Sequence, residues 1–420
     1  MSFPRLERRP ELDALRGLFL VWMTCVHMPT RFSDVVNSPM GYFSSASGFV
    51  FVSALLVGRL YIHDAMRDPP GVHARLWKRS LKVYWYHLLT LLLAFTVVAA
   101  YAVHTHKAAL SDELDFYLAH PLVAIIGSVF LLYCPPLLDI LPMYVIFLFM
   151  TPMLLWAAAR WRWQTVLSVS AGVWVLAQFG LRDIVHNALV AVTHLKIPMQ
   201  ETGSFNLFGW QALWIVGLWL GARSATVTVT GPLFKTPRWL VWCSVGVCFF
   251  FVGVRFNLWG PDLSQPALGM LLDKWRIGPL YALNSIAFGV LCYSMRKPLT
   301  RIISIEPFLT LGKASLRVFC AQLVFVFVAL GLLYRDVGQD ISGPPPTLHD
   351  ATAAIMFAVT FPVLMLVAWQ QVRSKRREKR QELERRQAEA APRPAEKDAA
   401  AEQLAGLDKL ECIRQEDSAA

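Results

Sequence analysis

Apolar runs long enough to cross a bilayer recur along most of this chain. A crossing helix needs about 20 mainly apolar residues, because the hydrocarbon core is about 30 Å thick and a helix rises about 1.5 Å per residue. Residues 42–62, 83–103, 139–160, 163–181, 206–222, 237–255, 277–295, 314–334 and 351–372 meet that requirement. Residues 12–29 form a further run that contains Asp13, Arg16 and His27, and 120–137 ends in the helix-breaking pair Pro135-Pro136. In lipid, runs of this length satisfy their backbone polar groups internally as helices. The sequence therefore predicts an all-α, polytopic integral membrane bundle.

Composition agrees. Of 420 residues, 55% are hydrophobic and 16% charged, with a mean hydropathy of +0.45. A soluble chain carries about 25% charged residues. The charge is also uneven: residues 371–420 hold 12 of the 40 Lys/Arg and 11 of the 29 Asp/Glu. This excludes a soluble multidomain enzyme, a disordered chain and a disulfide-stapled secreted domain. It separates a transmembrane domain, 1–372, from a charged tail, 373–420, helical at first through opposite charges three or four apart and disordered beyond Pro392. The net charge of +11 is first a topology signal. Basic residues scattered at the ends of apolar runs, with no motif behind them, give no sign of a nucleic-acid partner. The seven Cys include no CxxC pair, and Cys25, Cys134, Cys243, Cys248, Cys292 and Cys320 lie in apolar stretches, as buried thiols do. The N-terminal MSFPRLERRPELDALRG lacks the apolar core and cleavage site of a secretory signal, so it is expected to be retained.

Loop charge orients the runs. With Arg5, Arg8 and Arg9 inside, 12–29 runs outward and 42–62 returns, leaving Arg67, Arg75, Lys78, Arg79 and Lys82 inside. The loop after 83–103 carries Asp112, Glu113 and Asp115. If 120–137 does not cross, Arg160 and Arg162, then Arg223, Lys235 and Arg238, then Arg296, Lys297 and Arg301, and finally the run from Arg373 all fall inside. The expectation is ten crossings with both termini cytoplasmic.

Ionisable groups inside such runs are functional candidates. Arg16 and His27 stand eleven residues apart, about 16 Å along a helix and close to three turns, so both project from one side. A cation near the cytoplasmic boundary and an imidazole toward the outer half suit a long ligand with an anionic end; a topological arginine and an interfacial histidine are the plainer alternative. Arg75 and Arg79 share a helix face at i,i+4 and could grip phosphate, with His87 two turns further in; positive-inside charge and a packed histidine would look the same. Asp139, Asn206, Trp210, Gln211, Asn284, Lys313 and Ser315 are polar or amphipathic groups in or beside later runs, where helix–helix hydrogen bonding competes with ligand contact. Gly217 and Gly221 form a GxxxG that suggests close helix packing. No Walker A loop, HExxH, GxSxG or GxGxxG is present. A transporter or flippase of a lipid-linked saccharide is the rival reading, but it requires two similar halves with broken helices, and no such repeat is visible.

The ordered set RRPELDALRGLFLVWMTCVH, FVFVS at 49–53, DILPMY at 139–144, FNLFGWQ at 205–211, GPL with a following Asn at 278–284 and LGKASLRVF at 311–319 resembles the OpgC family over roughly residues 8–372. These are integral-membrane succinyltransferases of osmoregulated periplasmic glucans, within a broader clan of membrane acyltransferases that modify exported glycans. The resemblance implies a multi-pass protein of a bacterial cytoplasmic membrane. It implies acyl-CoA, succinyl-CoA foremost, as a donor substrate, with no permanently bound cofactor or metal, and a glucan or other glycan as acceptor. It assigns the chemistry to His27 and Arg16, whose spacing matches the clan's Arg-x10-His pattern. It leaves Arg16, Arg75, Arg79 and His87 as donor-binding candidates, and Asp13, Ser44, Ser47, Asp139, Asn206, Trp210, Gln211, Asn284, Lys313 and Ser315 as candidates for the acceptor site or path. Ser44 and Ser47 depart from the family pattern, which has acidic residues before its FVFLSG stretch, and Ala54 stands where that stretch has Gly. The acyl group, the acceptor sugar, the oligomeric state and the choice between general base and acylated intermediate for His27 stay open.

Overall fold

The computed structural model describes residues 9–28, 31–226, 234–258, 266–333 and 350–390, and these are helical with no strand among them. The chain divides into two units, residues 1–369 and 370–420. It is an all-α membrane protein. Helix α1 (Pro10–His27) begins at a proline, whose missing N–H costs nothing at a helix start, with Glu11 and Asp13 beside the positive end of the dipole. Short α2 (Arg31–Val36) precedes α3 (Ser45–Arg67), which is capped by Ser44. Asp68 ends α3 and caps α4 (Pro69–Leu93) by accepting from the Gly71 N–H at 2.9 Å, so the chain reverses around one residue. A π-helical stretch, Ala94–Val98, joins α4 to α5 (Ala99–Thr105), making a helix of 37 residues. Then come α6 (Ala108–Glu113), α7 (Asp115–Ala119) and α8 (Pro121–Val129). The nine residues of α8 rise about 13.5 Å, less than half the hydrocarbon core, before irregular backbone carries the chain past Pro135 and Pro136.

Next are α9 (Ile140–Gln178), α10 (Leu181–Thr193) and α11 (Leu207–Thr226). Within α9, Arg162 has φ +68° and breaks the helix. Thr151 Oγ1 accepts from Trp214 Nε1 at 3.1 Å, and Ser170 Oγ donates to Gln211 Oε1 at 2.7 Å. In a straight helix Thr151 and Ser170 would stand about 28 Å apart, yet their partners are three residues apart on α11. The chain therefore doubles back at Arg162, and 140–161 and 163–178 are the two separate runs read from the sequence. The remaining helices are α12 (Arg238–Arg255), α13 (Pro266–Leu272), α14 (Pro279–Ser294), α15 (Arg296–Ile303), α16 (Glu306–Lys313), α17 (Ser315–Leu333) and α18 (Asp350–Ala390). Among the described residues, seven helical stretches are long and apolar enough to cross a membrane. Beyond these, α1 has the length but carries Glu11, Asp13 and Arg16, α14 has 16 residues, and the two halves of α9 count as one stretch. Each of the ten expected runs is thus helical. The expected outer loop at 335–349 and the tail beyond Ala390 lie outside the described residues. The described tail is helical, with Ser374–Glu378 and Arg380–Glu384 pairs at 3.0 and 2.9 Å.

Glycines set the closest packing. A Cβ at Gly58 would collide with the Leu218 carbonyl, and one at Gly221 with the Leu55 carbonyl, so α3 and α11 meet backbone to backbone. That is the close approach suggested by the Gly217–Gly221 spacing. Gly17 faces the Phe308 backbone, and Gly312 faces the Asp13 carbonyl, which brings α16 equally close to α1. The outward faces are apolar, as at Trp85, Leu89 and Leu92 on α4 and Phe249 and Phe250 on α12. This corrects one expectation: Cys134 and Cys248 are buried and Cys25, Cys292 and Cys320 half-buried, but Cys243 is exposed on α12. Lipid is as apolar as a core, so hydrophobicity alone does not say which way a membrane residue faces.

Gly312→Val should force α1 and α16 apart, at a cost of about 2 kcal/mol or more. The readout is the melting temperature and the monodisperse yield in detergent. Gly172→Ala, where an added Cβ meets nothing within 4 Å, should melt at or slightly above the wild-type temperature.

Candidate functional site

Helix α1 carries a polar line through the bundle. Asp13 is fully buried one turn before Arg16. Arg16 is 7% exposed, donates through Nη2 to Ser315 Oγ and lies over the Phe49 ring, 5.5 Å from its centroid. Ser315 is in position because the chain breaks at Ala314 between α16 and α17, where Lys313 ends α16 half-buried. Two turns beyond Arg16, Thr24 Oγ1 lies 2.8 Å from Gln322 Oε1 on α17. His27 closes α1. Its Nδ1 is buried and no described side chain bonds to it, the Met23 carbonyl of the preceding turn is near enough to act on the ring, and the Lys274 charge acts on it through space.

A second polar group joins α3 to α14. The hydroxyls of Ser44, Ser47 and Tyr281 form a triangle: Ser44–Ser47 2.7 Å, Ser44–Tyr281 2.9 Å and Ser47–Tyr281 2.5 Å. Asn284, one turn after Tyr281 and fully buried, accepts through Oδ1 from the backbone N–H groups of Tyr42 and Phe43 at 2.8 and 3.2 Å. Its amide presses on Gly41, whose φ of +87° admits glycine most readily. Asn284 thus fixes the turn that delivers Ser44 to Tyr281.

A third group is gathered from the loops that precede α9, α11 and α14. Asp139 Oδ2 accepts from the Ser204 N–H at 2.9 Å, and Arg182 donates to Thr202 Oγ1 at 2.7 Å and to the Gly203 carbonyl. Asn206 caps α11 by accepting from the Phe208 and Gly209 N–H groups at 3.0 and 3.2 Å. Trp210 Nε1 donates to the Trp275 carbonyl at 3.0 Å, and Gln211 exchanges hydrogen bonds with Ser170. These three side chains spend their polar atoms on assembling the fold. Lys274 lies 4.1 Å from the centroid of the Trp275 ring, and burial holds its ammonium below the usual lysine range. A cavity of about 160 Å³ opens among Arg182, Asp183, Asn206, Asp273, Trp275 and Arg276. Nearby in charge is Glu113, at the end of α6: its Oε2 is buried without a partner, and burial, aided by the Asp139 and Asp112 charges, pushes its carboxyl up to about 7.

The donor-binding candidates on α4 divide. Arg75 is engaged by Asp64 at 3.1 Å and Asp68 at 3.5 Å, all three about half exposed. Arg79 donates to the Tyr144 hydroxyl at 3.5 Å. His87 is fully buried, and no described side chain bonds to either ring nitrogen, with the Ser128 backbone near enough to act on the ring. Sequence reasoning passed over Tyr281, Lys274, Arg182 and Arg59. Arg59, a cation inside the 42–62 run, carried the plainest signal. Among the described residues, no group of three His, Cys, Asp or Glu side chains is placed to hold a metal ion.

The family model described as OpgC protein matches residues 8–376 of this chain. No curated protein and no solved structure matches it.

The buried carboxyl of Glu113 makes a pH prediction. A carboxyl raised from 4.5 to about 7 on folding binds its proton more tightly in the folded state. Its contribution to stability is therefore full below about pH 4.5, is lost as pH rises toward about 7, and is constant above that. Glu113→Gln should remove this slope, which amounts to at most about 3 kcal/mol. Melting curves of both proteins from pH 4.5 to 8 test it; parallel curves would show that Glu113 does not titrate in this range.

Proposed function

The chain belongs to the OpgC family, and on that premise we propose that it is an acyltransferase of a bacterial cytoplasmic membrane. It moves an acyl group, succinyl foremost, from cytoplasmic acyl-CoA to a hydroxyl of a glucan or other glycan on the outer side. The observation that carries this reading is His27: an imidazole at one end of α1 that no described side chain engages, on the same side as a buried guanidinium eleven residues earlier. An acyl thioester needs a hydroxyl activated near neutral pH, and a ring nitrogen not taken up by the Met23 carbonyl is available for that proton. In the direct route the sugar oxygen attacks the thioester carbonyl as its proton passes to His27. A C–O bond forms, the C–S bond breaks, and the proton leaves on the CoA thiolate. In the two-step route His27 takes the acyl group first and the sugar hydroxyl then displaces it. Arg16, anchored to Ser315, lies on the path between the start of α1 and His27, where it can steady an anionic or carbonyl oxygen of the donor. The donor is a substrate; no resident cofactor is part of the reading.

The test is to incubate purified protein with acetyl-, succinyl- and longer acyl-CoAs and a glucan, and to measure CoA release and acylated product. We expect His27→Ala to keep its melting temperature and its acyl-CoA binding, and to lose transfer by about 10²–10⁴-fold. A stable variant with near-normal transfer would remove His27 from the chemistry, and its role would pass to His87. A wild-type protein that releases no CoA from any donor would return the chain to the transporter reading. On topology, cysteine labelling of intact cells should reach positions in 104–119 and not those in 63–82; the reverse pattern would invert the site.

A further inference from the structure

Arg59 sits inside α3 and is 3% exposed. Gly58 and Gly221 bring α3 and α11 to backbone contact beside it, which closes its side chain between the two helices. Nη1 donates to the Ser224 carbonyl at 2.5 Å and to Ser224 Oγ at 3.2 Å, both neutral acceptors, while Nε is buried without a hydrogen-bond partner. No carboxylate stands within ion-pair distance of it among the described residues. Glu11 acts on Arg59 only through space and is paired with Arg9 at 3.9 Å. A guanidinium cannot shed its proton as a lysine can, so this cation stays charged where a charge is costly to hold. Arg75 and Arg79, by contrast, already have carboxylate or phenol partners. A buried cation that no described carboxylate pairs fits a protein whose counter-ion arrives with its ligand.

Position narrows the ligand. Arg59 feels the charges of Arg9 and Glu11 at the start of α1, whereas His27 is at its other end. Sixteen residues of helix separate Glu11 from His27, about 24 Å. That is comparable with the reach of an extended pantetheine arm from thioester to phosphates. Resting on the acyl-CoA reading above, we propose that Arg59 binds an oxyanion of the donor, and that this oxyanion is a CoA phosphate rather than the carboxylate of a succinyl group. Nε, together with the face of the guanidinium turned away from Ser224, would receive it.

The experiment uses full-length protein in detergent and measures the affinity of CoA, pantetheine, acetyl-CoA and succinyl-CoA for wild type, Arg59→Gln and Arg59→Lys. Arg59→Gln should weaken CoA and both acyl-CoAs alike by about tenfold or more and leave pantetheine unchanged. Its ligand-free melting temperature should not fall, because the substitution removes a buried charge that no described carboxylate pairs; a purely structural arginine would show the reverse on both counts. If the Gln variant does not fold, Arg59→Lys decides: it should bind CoA more weakly than wild type while holding pantetheine equally well, and wild-type affinity for CoA would overturn the proposal. Weakening confined to succinyl-CoA would overturn the phosphate assignment and place the acyl carboxylate at Arg59. Wild-type turnover with an unaffected Arg59→Gln would defeat this inference and leave the acyltransferase reading standing. A wild-type protein that neither binds nor consumes any acyl-CoA would defeat both.

Discussion

Gly17 on α1 faces the backbone of Phe308, and Gly312 on α16 faces the backbone of Asp13, so these two helices meet with no side chain between them. In lipid there is no hydrophobic gain from bringing apolar helices together, so close van der Waals contact between backbones has to supply the attraction. That contact also fixes chain register. Once Gly312 is seated on α1, Ser315 begins the next helix one turn later, and its hydroxyl falls opposite Arg16. The same seating carries α17 along α1 so that Gln322 meets Thr24. The polar line from Arg16 toward His27 is therefore built from two helices locked in one register, and a side chain at either glycine would shift every partner on it.

The polar groups of the bundle fall into two kinds. Asn206, Trp210, Gln211 and Asn284 all bond within the fold, Asn206 by capping α11 and the other three by tying together parts of the chain distant in sequence. His27, Arg59 and His87 keep buried nitrogens to which no described side chain bonds. In a medium that offers no water, an unmade hydrogen bond is a standing cost, and such costs are retained where a ligand relieves them. The division separates scaffold from site more sharply than residue type does, since an asparagine and a histidine would be equal suspects by composition.

Much of this was legible in the sequence, and for identifiable reasons. The ten runs are helical because length and apolarity suffice to specify a helix in lipid, and the Arg16–His27 spacing survives because a helix preserves its own periodicity. The two halves of α9 read as separate apolar runs, 139–160 and 163–181, because Arg160 and Arg162 interrupt the apolar sequence, and the helix breaks at Arg162. What the sequence could not show was contact across distance. Nothing local in GPLYALN announces that Tyr281 will meet Ser44 and Ser47. Arg59 drew no notice in the sequence; only the neighbouring glycines of α3 and α11 reveal that it is closed in. Cys243 was misread as interior because outward and inward faces are both apolar here.

The hydroxyl triangle of Ser44, Ser47 and Tyr281 has a consequence for how this chain can diverge from its relatives. Three hydroxyls, each with one proton to give and room to accept, close on themselves as a ring whose bonds can run in either sense, and the ring carries no charge. A carboxylate at position 44 or 47 alone would leave two hydroxyl protons for three contacts, so one side of the triangle would open. The three positions are thus coupled across 237 residues of chain: a charge placed at one alters which protons the other two have to give.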